Sequence, residues 1–390
     1  MKRKSISVFS LTILTVLFFA PLGKAQDKDR FQGQHEHQGP PVDVNEVMAQ
    51  SAAGAAIPLW QEPFKAFNGT KGDYMVTIVG RHPKLPNPPP KGVTSVPVEL
   101  VPVVIYFVNW NLSVSWLSDP TASVTEACAD EQVKHKVPVD LTAASPLFND
   151  ASMKWSDKLD MGTTQFMDAQ MRAEFWGWMP AIDSWHTKLR VHVHEPVTLY
   201  VPPGLWSLDP NICGGLGKIN DQYLDTFLRL QTLQLPAGSI ALFVTKNGIE
   251  TDIRNNDFLG YHDAWTPLFG TTRVYGIGPF YISHEIWPDI KTLTHEIGEI
   301  MNDPLPSSDE WNNTPDWRKG PDEGCQNNFE VGDPRNPRQL GLHEIELGGF
   351  KYHPQELALF GWFYRMDNVA LNGQYSTLGT FSTNAGDICN

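Results

Sequence analysis

The sequence predicts a mixed α/β or α+β domain built on a mixed sheet, from three observations. A Val-rich segment, 98–109, has the composition of a buried strand. Residues 220–233 repeat Leu224, Phe227 and Leu228 at the spacing of an amphipathic helix. Strand-like and helix-like segments alternate irregularly and without an internal repeat, which indicates this class rather than a repeat architecture.

The other elements are predicted from the same two periodicities. Segment 98–109 is expected to be central in the sheet only from Val103 onward, past its last proline. Segments 189–194 and 197–201 flank Glu195-Pro196 and suggest a hairpin, and 109–119 is rich in turn residues. The remaining expected elements are strands at 74–79, 239–245 and 272–277, and helices at 164–176, 288–303 and after Pro354.

The first 25 residues have the pattern of a secretory signal peptide. A basic start at 2–4 precedes an apolar run at 8–21, and small residues at 23–25 predict cleavage before Gln26. A retained N-terminal anchor is the alternative; no later segment is apolar for long enough to cross a membrane. We therefore expect a secreted or periplasmic protein.

The chain after the signal divides into two regions by composition. Residues 26–72 are mostly small and polar, which predicts a loosely ordered segment. Residues 73–390 are expected to form a single large domain, with a separate C-terminal subdomain from about residue 340 as an alternative.

The charge of the chain is strongly acidic. The formal net charge is −14, and it becomes −18 when the four basic residues of the signal are removed. Nucleic acid and anionic membrane are therefore excluded as expected partners, because like charges repel. The same charge favours solubility and the binding of cations.

Four cysteines follow the signal: Cys128, Cys213, Cys325 and Cys389. An even number in an exported chain suggests up to two disulfides, for which three pairings are possible. No Cys-x-x-Cys pair occurs, so the sequence does not indicate a thiol redox site or a cysteine zinc site.

The segment Thr294-His295-Glu296-Ile297-Gly298-Glu299 is the strongest candidate for chemistry. Pro288 and Pro304 bracket a helix there, and its apolar residues repeat every three or four positions. The opposite side then presents His295, Glu296 and Glu299. Side chains four residues apart lie one turn apart, so His295 and Glu299 could both reach one metal ion.

Glu296 lies slightly round the helix from these two ligands and is expected to act as the general base. A bound zinc ion would lower the pKa of its water to roughly 7, which provides a nucleophile at neutral pH. The alternative interpretation is an acidic, solvated helix face with a single histidine.

The helix resembles the His-Glu-x-x-His helix of zincin metallopeptidases, with Glu299 in place of the second histidine. That resemblance implies a zincin-like catalytic core, a zinc ion and a peptidase activity. A carboxylate makes the site harder and more anionic, so calcium and manganese are the alternative metals.

A longer stretch, 294–304 followed by Glu330-Val331-Gly332-Asp333, resembles a group of uncharacterised exported bacterial and fungal proteins. It is more remotely similar to the plant phosphate-induced, Exordium-like proteins. Gly260-Tyr261-His262 resembles a further motif of these groups, although Asp263 replaces their serine. A cysteine usually follows the final aspartate of the pattern; Pro334 stands there in this chain. The resemblance covers most of residues 74–340.

A firmly held metal needs a third ligand. Glu330 and Asp333 are the first candidates, since zincins often place their third ligand on a loop after the helix. Asp303 and His262 are the alternatives, as is a site without a third protein ligand. Separately, His192 and His194 share one face of a predicted strand; such a pair can bind metal, but a solvated strand face is the favoured interpretation.

The first functional hypothesis is an exported metal-dependent hydrolase, a zinc peptidase acting on peptide or on a cell-wall substrate. The second is a non-catalytic extracellular or cell-wall binding protein with a structural metal site. It draws on the Exordium-like resemblance, on the anionic helix face and on 13 tryptophans, which could stack on sugar rings. The oligomeric state does not follow from the sequence.

Overall fold

The computed structural model describes residues 42–65, 73–84, 92–156, 159–179, 183–284, 288–306, 314–318, 325–334, 341–375, 379 and 381. All of them belong to one compact unit, Gln32–Asn390. The expected signal peptide, 1–25, lies outside the described residues. Within these ranges, no helix combines the length and the apolar character needed to span a bilayer.

The fold mixes helices with strands, as the sequence predicts. The helices are α1 (Val44–Ala52), α2 (Pro138–Ala144), α3 (Phe166–Glu174), α4 (Asp221–Thr232), α5 (Lys291–Asn302) and α6 (Phe360–Phe363). The strands are β1 (Leu59–Lys65), β2 (Asp73–Val79), β3 (Val93–Val108), β4 (Val114–Ser118), β5 (Ala151–Ser156), β6 (Leu159–Thr164), β7 (His186–Val193), β8 (Val197–Val201), β9 (Trp206–Asp209), β10 (Leu216–Asn220), β11 (Ile240–Lys246), β12 (Gly248–Thr251), β13 (Asp257–Phe258), β14 (Tyr261–Trp265), β15 (Arg273–Phe280), β16 (Trp317–Arg318), β17 (Cys325–Gln326), β18 (Ile345–Leu347) and β19 (Phe350–Tyr352).

The main sheet has seven strands around the long strand β3. Its order is β14-β15-β11-β3-β4, and β7 and β8 also pair with β3. Strands β11 and β4 pair with successive stretches of β3, 98–102 and 105–108, and β7 and β8 pair with the stretches 93–100 and 103–107. Strands β7, β8 and β11 run parallel to β3, and β15 runs parallel to β11, whereas β4 and β14 are antiparallel to their neighbours. The sheet is therefore mixed. Strand β4 occupies the region where the sequence suggested only turns.

Two predictions about the edge of this sheet are wrong. The segments on either side of Glu195-Pro196 do not form a hairpin, because β7 and β8 follow one another along β3 in the same direction. The expectation that segment 98–109 is central only from Val103 onward is also wrong, because β7 and β11 already flank β3 at 98–100. The carbonyl of Leu100 accepts a hydrogen bond from His194, so the N–H that Pro102 lacks would point into the gap between β7 and β8. The proline therefore costs no ladder bond.

Helices cover both faces of the sheet. Alternate residues of the central strands, such as Leu100 and Leu242, join the larger core cluster together with α3 and α5. The residues between them, such as Val101 and Phe243, join a second cluster with α4. The sheet thus separates α5 from α4, as expected for a sheet with two buried faces.

Helix α5 approaches the sheet closely over two glycines of β15. A Cβ atom on Gly276 would lie 2.9 Å from the Cδ1 of Ile300, and one on Gly278 would lie 3.2 Å from the Cδ2 of Leu293. Both isoleucine and leucine are fully buried. The Gly-x-Gly pattern of β15 therefore fixes how near the candidate metal helix lies to the sheet.

The expectation of a loosely ordered segment at 26–72 is wrong for residues 42–65, which form α1 and β1. Asp43 caps α1 by accepting hydrogen bonds from the backbone of Asn45 and Glu46. The few apolar residues of the segment, among them Val47 and Trp60, are buried in the larger core cluster. Dispersed apolar residues of this kind order a polar segment only when a core exists to receive them.

The predicted helix after Pro354 is much shorter than its apolar pattern suggested. Only Phe360–Phe363 is helical, while Leu357 and Leu359 are buried without belonging to a helix. Residues 345–375 pack into the same core cluster as α5. The C-terminal part of the described chain thus belongs to the packing of the main domain.

One disulfide joins Cys128 to Cys213, with 5.6 Å between their Cα atoms. Cys325 is disulfide-bonded as well. The presence of disulfides is consistent with an oxidising, extracytoplasmic compartment.

Candidate metal centre

Helix α5 presents the candidate residues, although it starts later than the sequence suggested. It begins at Lys291, because Asp289 lies in a turn with a φ of +25° and its carboxylate accepts hydrogen bonds from the backbone of Ile290 and His353. The apolar side of the helix docks on the sheet, as predicted. The opposite side is not solvated, since Glu296 and Glu299 are each only 3 % exposed.

His295 and Glu299 face one another across one turn of α5. The Nε2 of His295 lies 3.1 Å from the Oε1 of Glu299. The other ring nitrogen of His295, Nδ1, lies 3.2 Å from the Oε1 of Gln355. The amide of Gln355 is oriented by its own Nε2, which donates to the carbonyl of Gly332 at 2.6 Å. Nδ1 therefore bears the proton, and Nε2 turns its lone pair towards Glu299 when the ring is neutral.

His262, on β14, reaches the same carboxylates from the sheet. Its Nδ1 lies 3.5 Å from the Oε2 of Glu299 and 3.7 Å from the Oε2 of Glu296. Its Nε2 lies 3.1 Å from the backbone carbonyl of Asp303, which can only accept. The Nε2 of His262 therefore donates, and the lone pair of a neutral ring at Nδ1 points into the carboxylate cluster.

The loop 330–333 closes the cluster opposite α5. The Oε2 of Glu330 lies 4.0 Å from the Nδ1 of His262, and the Oδ1 of Asp333 lies 3.8 Å from the Nε2 of His295. Between them, the N–H of Gly332 donates to the Oε1 of Glu299 at 3.1 Å. A Cβ on Gly332 would lie 2.5 Å from the imidazole Nδ1 of His295, so only glycine lets the loop approach this closely.

The structure places the residues that the sequence singled out for the site around Glu299, which belongs both to a group with His295 and Glu296 and to a group with His262 and Glu330. His295, Glu299 and Glu296 lie on α5, Glu330 and Asp333 lie on the facing loop, and His262 lies on β14. Asp303 contributes its backbone: its carbonyl receives His262, and its N–H donates to the carbonyl of Glu299 at 2.5 Å. Its carboxylate is near enough to Glu330 to help raise the pKa of that carboxyl.

Gln355 was not predicted, and no local pattern indicates it. It lies 60 residues after His295 in the sequence, in a segment where the sequence predicted a helix. Its backbone N–H also donates to the hydroxyl of Thr294 at 3.0 Å. A glutamine near Pro354 has no spacing relationship to α5, so only the three-dimensional structure reveals the contact.

The neighbouring carboxylates raise the pKa values of the two histidines. Burial alone would lower the pKa of His295, but the Glu299 carboxylate outweighs it and raises that pKa to about 9. Burial likewise opposes protonation of His262, yet the carboxylates of Glu330 and Glu296 raise its pKa well above the ordinary value. Without a metal, the surrounding carboxylates therefore favour the protonated form of both rings.

The pKa values of the three glutamate carboxyls shift in different directions. Burial raises the pKa of Glu296, and burial with the neighbouring Glu299 charge raises the pKa of Glu330 well above its usual range. Burial also acts against ionisation of Glu299, but His295 and His262 lower its pKa far below the ordinary value. In the described part of the chain, no Lys or Arg pairs with these three glutamates. While no cation is bound, proton uptake by the two imidazoles and by the carboxyls with a raised pKa offsets the buried negative charge, and a bound cation would take the place of those protons.

Comparison with protein-family models, with curated proteins and with solved structures gives no match to this chain. The resemblance to zincins and to the exported and Exordium-like proteins stays a prediction from the sequence.

Proposed function

We propose that this protein is an exported, zincin-like metal-dependent hydrolase, a peptidase whose zinc ion is held by His295 and Glu299, with the third ligand drawn from Glu330, Asp333 or His262. The observation that supports the proposal is the orientation of the two imidazoles. Each has one nitrogen directed at an acceptor, Gln355 or the carbonyl of Asp303, and each turns its other nitrogen towards Glu299. Metal-binding histidines are oriented in this way by their outer nitrogen.

Two overlapping groups of donor atoms share Glu299: those of His295, Glu296 and Glu299 lie within 4.8 Å of one another, and so do those of His262, Glu299 and Glu330. Donor atoms at about 2.0–2.1 Å from a tetrahedral zinc lie roughly 3.3 Å from one another. The Nε2 of His295 and the Nδ1 of His262 are 3.1 Å and 3.5 Å from the two oxygens of Glu299. Glu330 and Asp333, at 4.0 Å and 3.8 Å from these nitrogens, are the next nearest donors. Calcium and manganese remain the alternative ions, since most of the donors are oxygens.

The role proposed for Glu296 is that of general base. When bound, zinc supplies a Lewis acid that activates water and polarises a carbonyl oxygen. Glu296 accepts the proton of the attacking water and returns it to the leaving group. Burial raises the pKa of this carboxyl, which brings it nearer to neutral pH, where a group that both accepts and donates a proton is most effective. Gly260 leaves room for this side chain, because a Cβ there would lie 2.6 Å from the Oε1 of Glu296.

Burial of the same residues favours a second candidate, a structural metal site in a non-catalytic extracellular binding protein. The side chains of Glu296, Glu299 and His262 are each 4 % exposed, while those of Glu330, Asp333 and His295 are 10–12 % exposed. Structural zinc sites are closed in this way, whereas catalytic sites keep one position open.

One set of variants tests the hydrolase proposal. The full mature chain, purified without added metal, is analysed for its metal content and for hydrolysis of a mixed peptide library. We expect about one zinc per chain at this site, loss of that zinc in His295→Ala, and unchanged zinc without hydrolysis in Glu296→Gln. Glu131→Gln, a substitution of a side chain that is 89 % exposed, is the matched control.

The outcomes separate the two candidates. Full hydrolysis by Glu296→Gln would overturn the role of Glu296. Bound zinc without hydrolysis in the unaltered protein would favour the structural site. Unchanged metal content in His295→Ala would contradict the ligand assignment itself.

A further inference from the structure

A second group of potential ligands lies on the opposite face of the sheet from α5. Strands β3 and β7 are paired in parallel with Glu99 opposite His192, and His194 follows two residues later on the same face. The neighbouring residues Val98 and Leu100 point the other way, into the core cluster beneath α5. The sheet therefore separates this group from the candidate metal centre.

The three side chains converge on one point. The Oε2 of Glu99 lies 2.9 Å from the Nδ1 of His192 and 2.6 Å from the Nε2 of His194. The two ring nitrogens lie 3.2 Å from each other. A tetrahedral zinc ion needs donor atoms roughly 3.3 Å apart, so the sides of the triangle have to lengthen by about 0.1 to 0.7 Å.

Either protons or a cation can occupy this triangle. When both facing nitrogens carry a proton, each can donate to the Oε2 of Glu99, but the two N–H groups then lie against each other at a nitrogen separation of 3.2 Å. A cation at the centre of the triangle interacts favourably with all three atoms. The backbone supports this arrangement, because the N–H of His194 donates to the carbonyl of Leu100 at 2.9 Å.

We propose that Glu99, His192 and His194 form a second metal site, which binds zinc or a similar divalent transition ion. Two imidazoles and one carboxylate suit zinc, copper and nickel, and they disfavour magnesium and calcium, which prefer oxygen ligands. Glu99 is buried, His194 is 27 % exposed and His192 is 70 % exposed. The remaining coordination positions therefore face solvent and are available to water or to a ligand.

The site is tested with zinc itself, on the full mature chain without a histidine tag. Because α5 is also proposed to bind zinc, the measurement uses a His295→Ala background, in which the second site is isolated. We expect zinc to bind and to raise the melting temperature of His295→Ala, and we expect both effects to be lost in His192→Ala/His194→Ala/His295→Ala. The control adds His135→Ala, a substitution in a turn residue, in place of the strand pair.

Two further readouts decide the assignment. Cobalt in place of zinc should give a visible absorption spectrum in His295→Ala that disappears when His192 and His194 are also replaced. Magnesium should not compete with zinc even in large excess. Zinc binding that persists without the two histidines, at unchanged stoichiometry and affinity, would overturn the proposal, whatever the outcome at α5.

Discussion

The side-chain amide of Gln355 lies between His295 and the loop 330–333. Its Oε1 lies 3.2 Å from the Nδ1 of His295, and its Nε2 donates to the carbonyl of Gly332 at 2.6 Å. One amide therefore fixes the tautomer of the imidazole and the position of the loop at the same time. This is how an outer residue sets the direction of a metal ligand without touching the metal.

Replacing Gln355 by alanine should weaken metal binding while the ligands themselves remain. Loss of an outer hydrogen-bond partner typically costs roughly 10–100-fold in metal affinity, and we expect an effect of that size. Competition with a chelator of known affinity measures it. Gln132→Ala is the matched control, because among the described residues that amide bonds to the backbone of Lys351 on β19. Equal affinities in the two variants would contradict the role of Gln355.

Gly332→Ala should damage the same site by a steric route. The added Cβ would lie 2.5–2.8 Å from three atoms of the His295 ring, so either the loop or the imidazole has to move. We expect bound metal to be lost or strongly reduced, while circular dichroism still shows a folded chain. Gly177→Ala is the control, since a Cβ there meets no atom within 4 Å. Normal metal content in Gly332→Ala would show that the loop is not held against α5.

Local spacing predicted the helix part of the site because both ligands belong to one element. His295 and Glu299 are four residues apart, and the helical period alone determines that they lie on one side. The loop and His262 were named through a resemblance, since nothing in the spacing relates them to α5. Neither a spacing pattern nor a resemblance indicated Gln355. A contact that depends on how distant segments pack leaves no periodic pattern in a single sequence.

The edge of the sheet shows the same limit at the level of the fold. The patterns of β7 and β8 correctly predicted strands, but short strands joined by two or three residues usually form a hairpin. Here the 16-residue strand β3 is long enough to pair with both in succession. Which edge a strand joins depends on non-local pairing, and the composition of the strand does not determine it.

Removing the disulfide between Cys128 and Cys213 should destabilise the fold substantially. The bond closes a loop with a sequence separation of 85, for which loop entropy predicts a loss of about 4–5 kcal/mol in the free energy of unfolding. Urea unfolding of Cys128→Ser/Cys213→Ser against the unaltered protein measures it. The double replacement leaves no unpaired thiol from this bond. A loss below about 1 kcal/mol would mean that the unfolded chain is already restricted without it.

Glu174, the last residue of α3, should make the free energy of unfolding fall as the pH rises over a defined range. Burial raises the pKa of this carboxyl from 4.5 to about 8, although the amides of Gln170 and Asn302 donate to its Oε1. Between about pH 4.5 and pH 8, the folded protein therefore keeps a proton on Glu174 that the unfolded chain has released. The stability that this proton provides is complete below pH 4.5 and is lost as the pH rises to about 8, by up to roughly 1.4 kcal/mol per pH unit.

Glu174→Gln should remove this contribution, because an amide of the same shape has no proton to lose. Since other groups titrate in the same range, the useful quantity is the difference in free energy of unfolding between the variant and the unaltered protein, measured from pH 5 to pH 9 in about equal steps. We expect the variant to gain relative stability steadily up to about pH 8 and then to level off. Glu131→Gln, on the surface, should show a constant difference. A constant difference for Glu174→Gln as well would mean that this carboxyl is ionised inside the fold and has a counter-charge there.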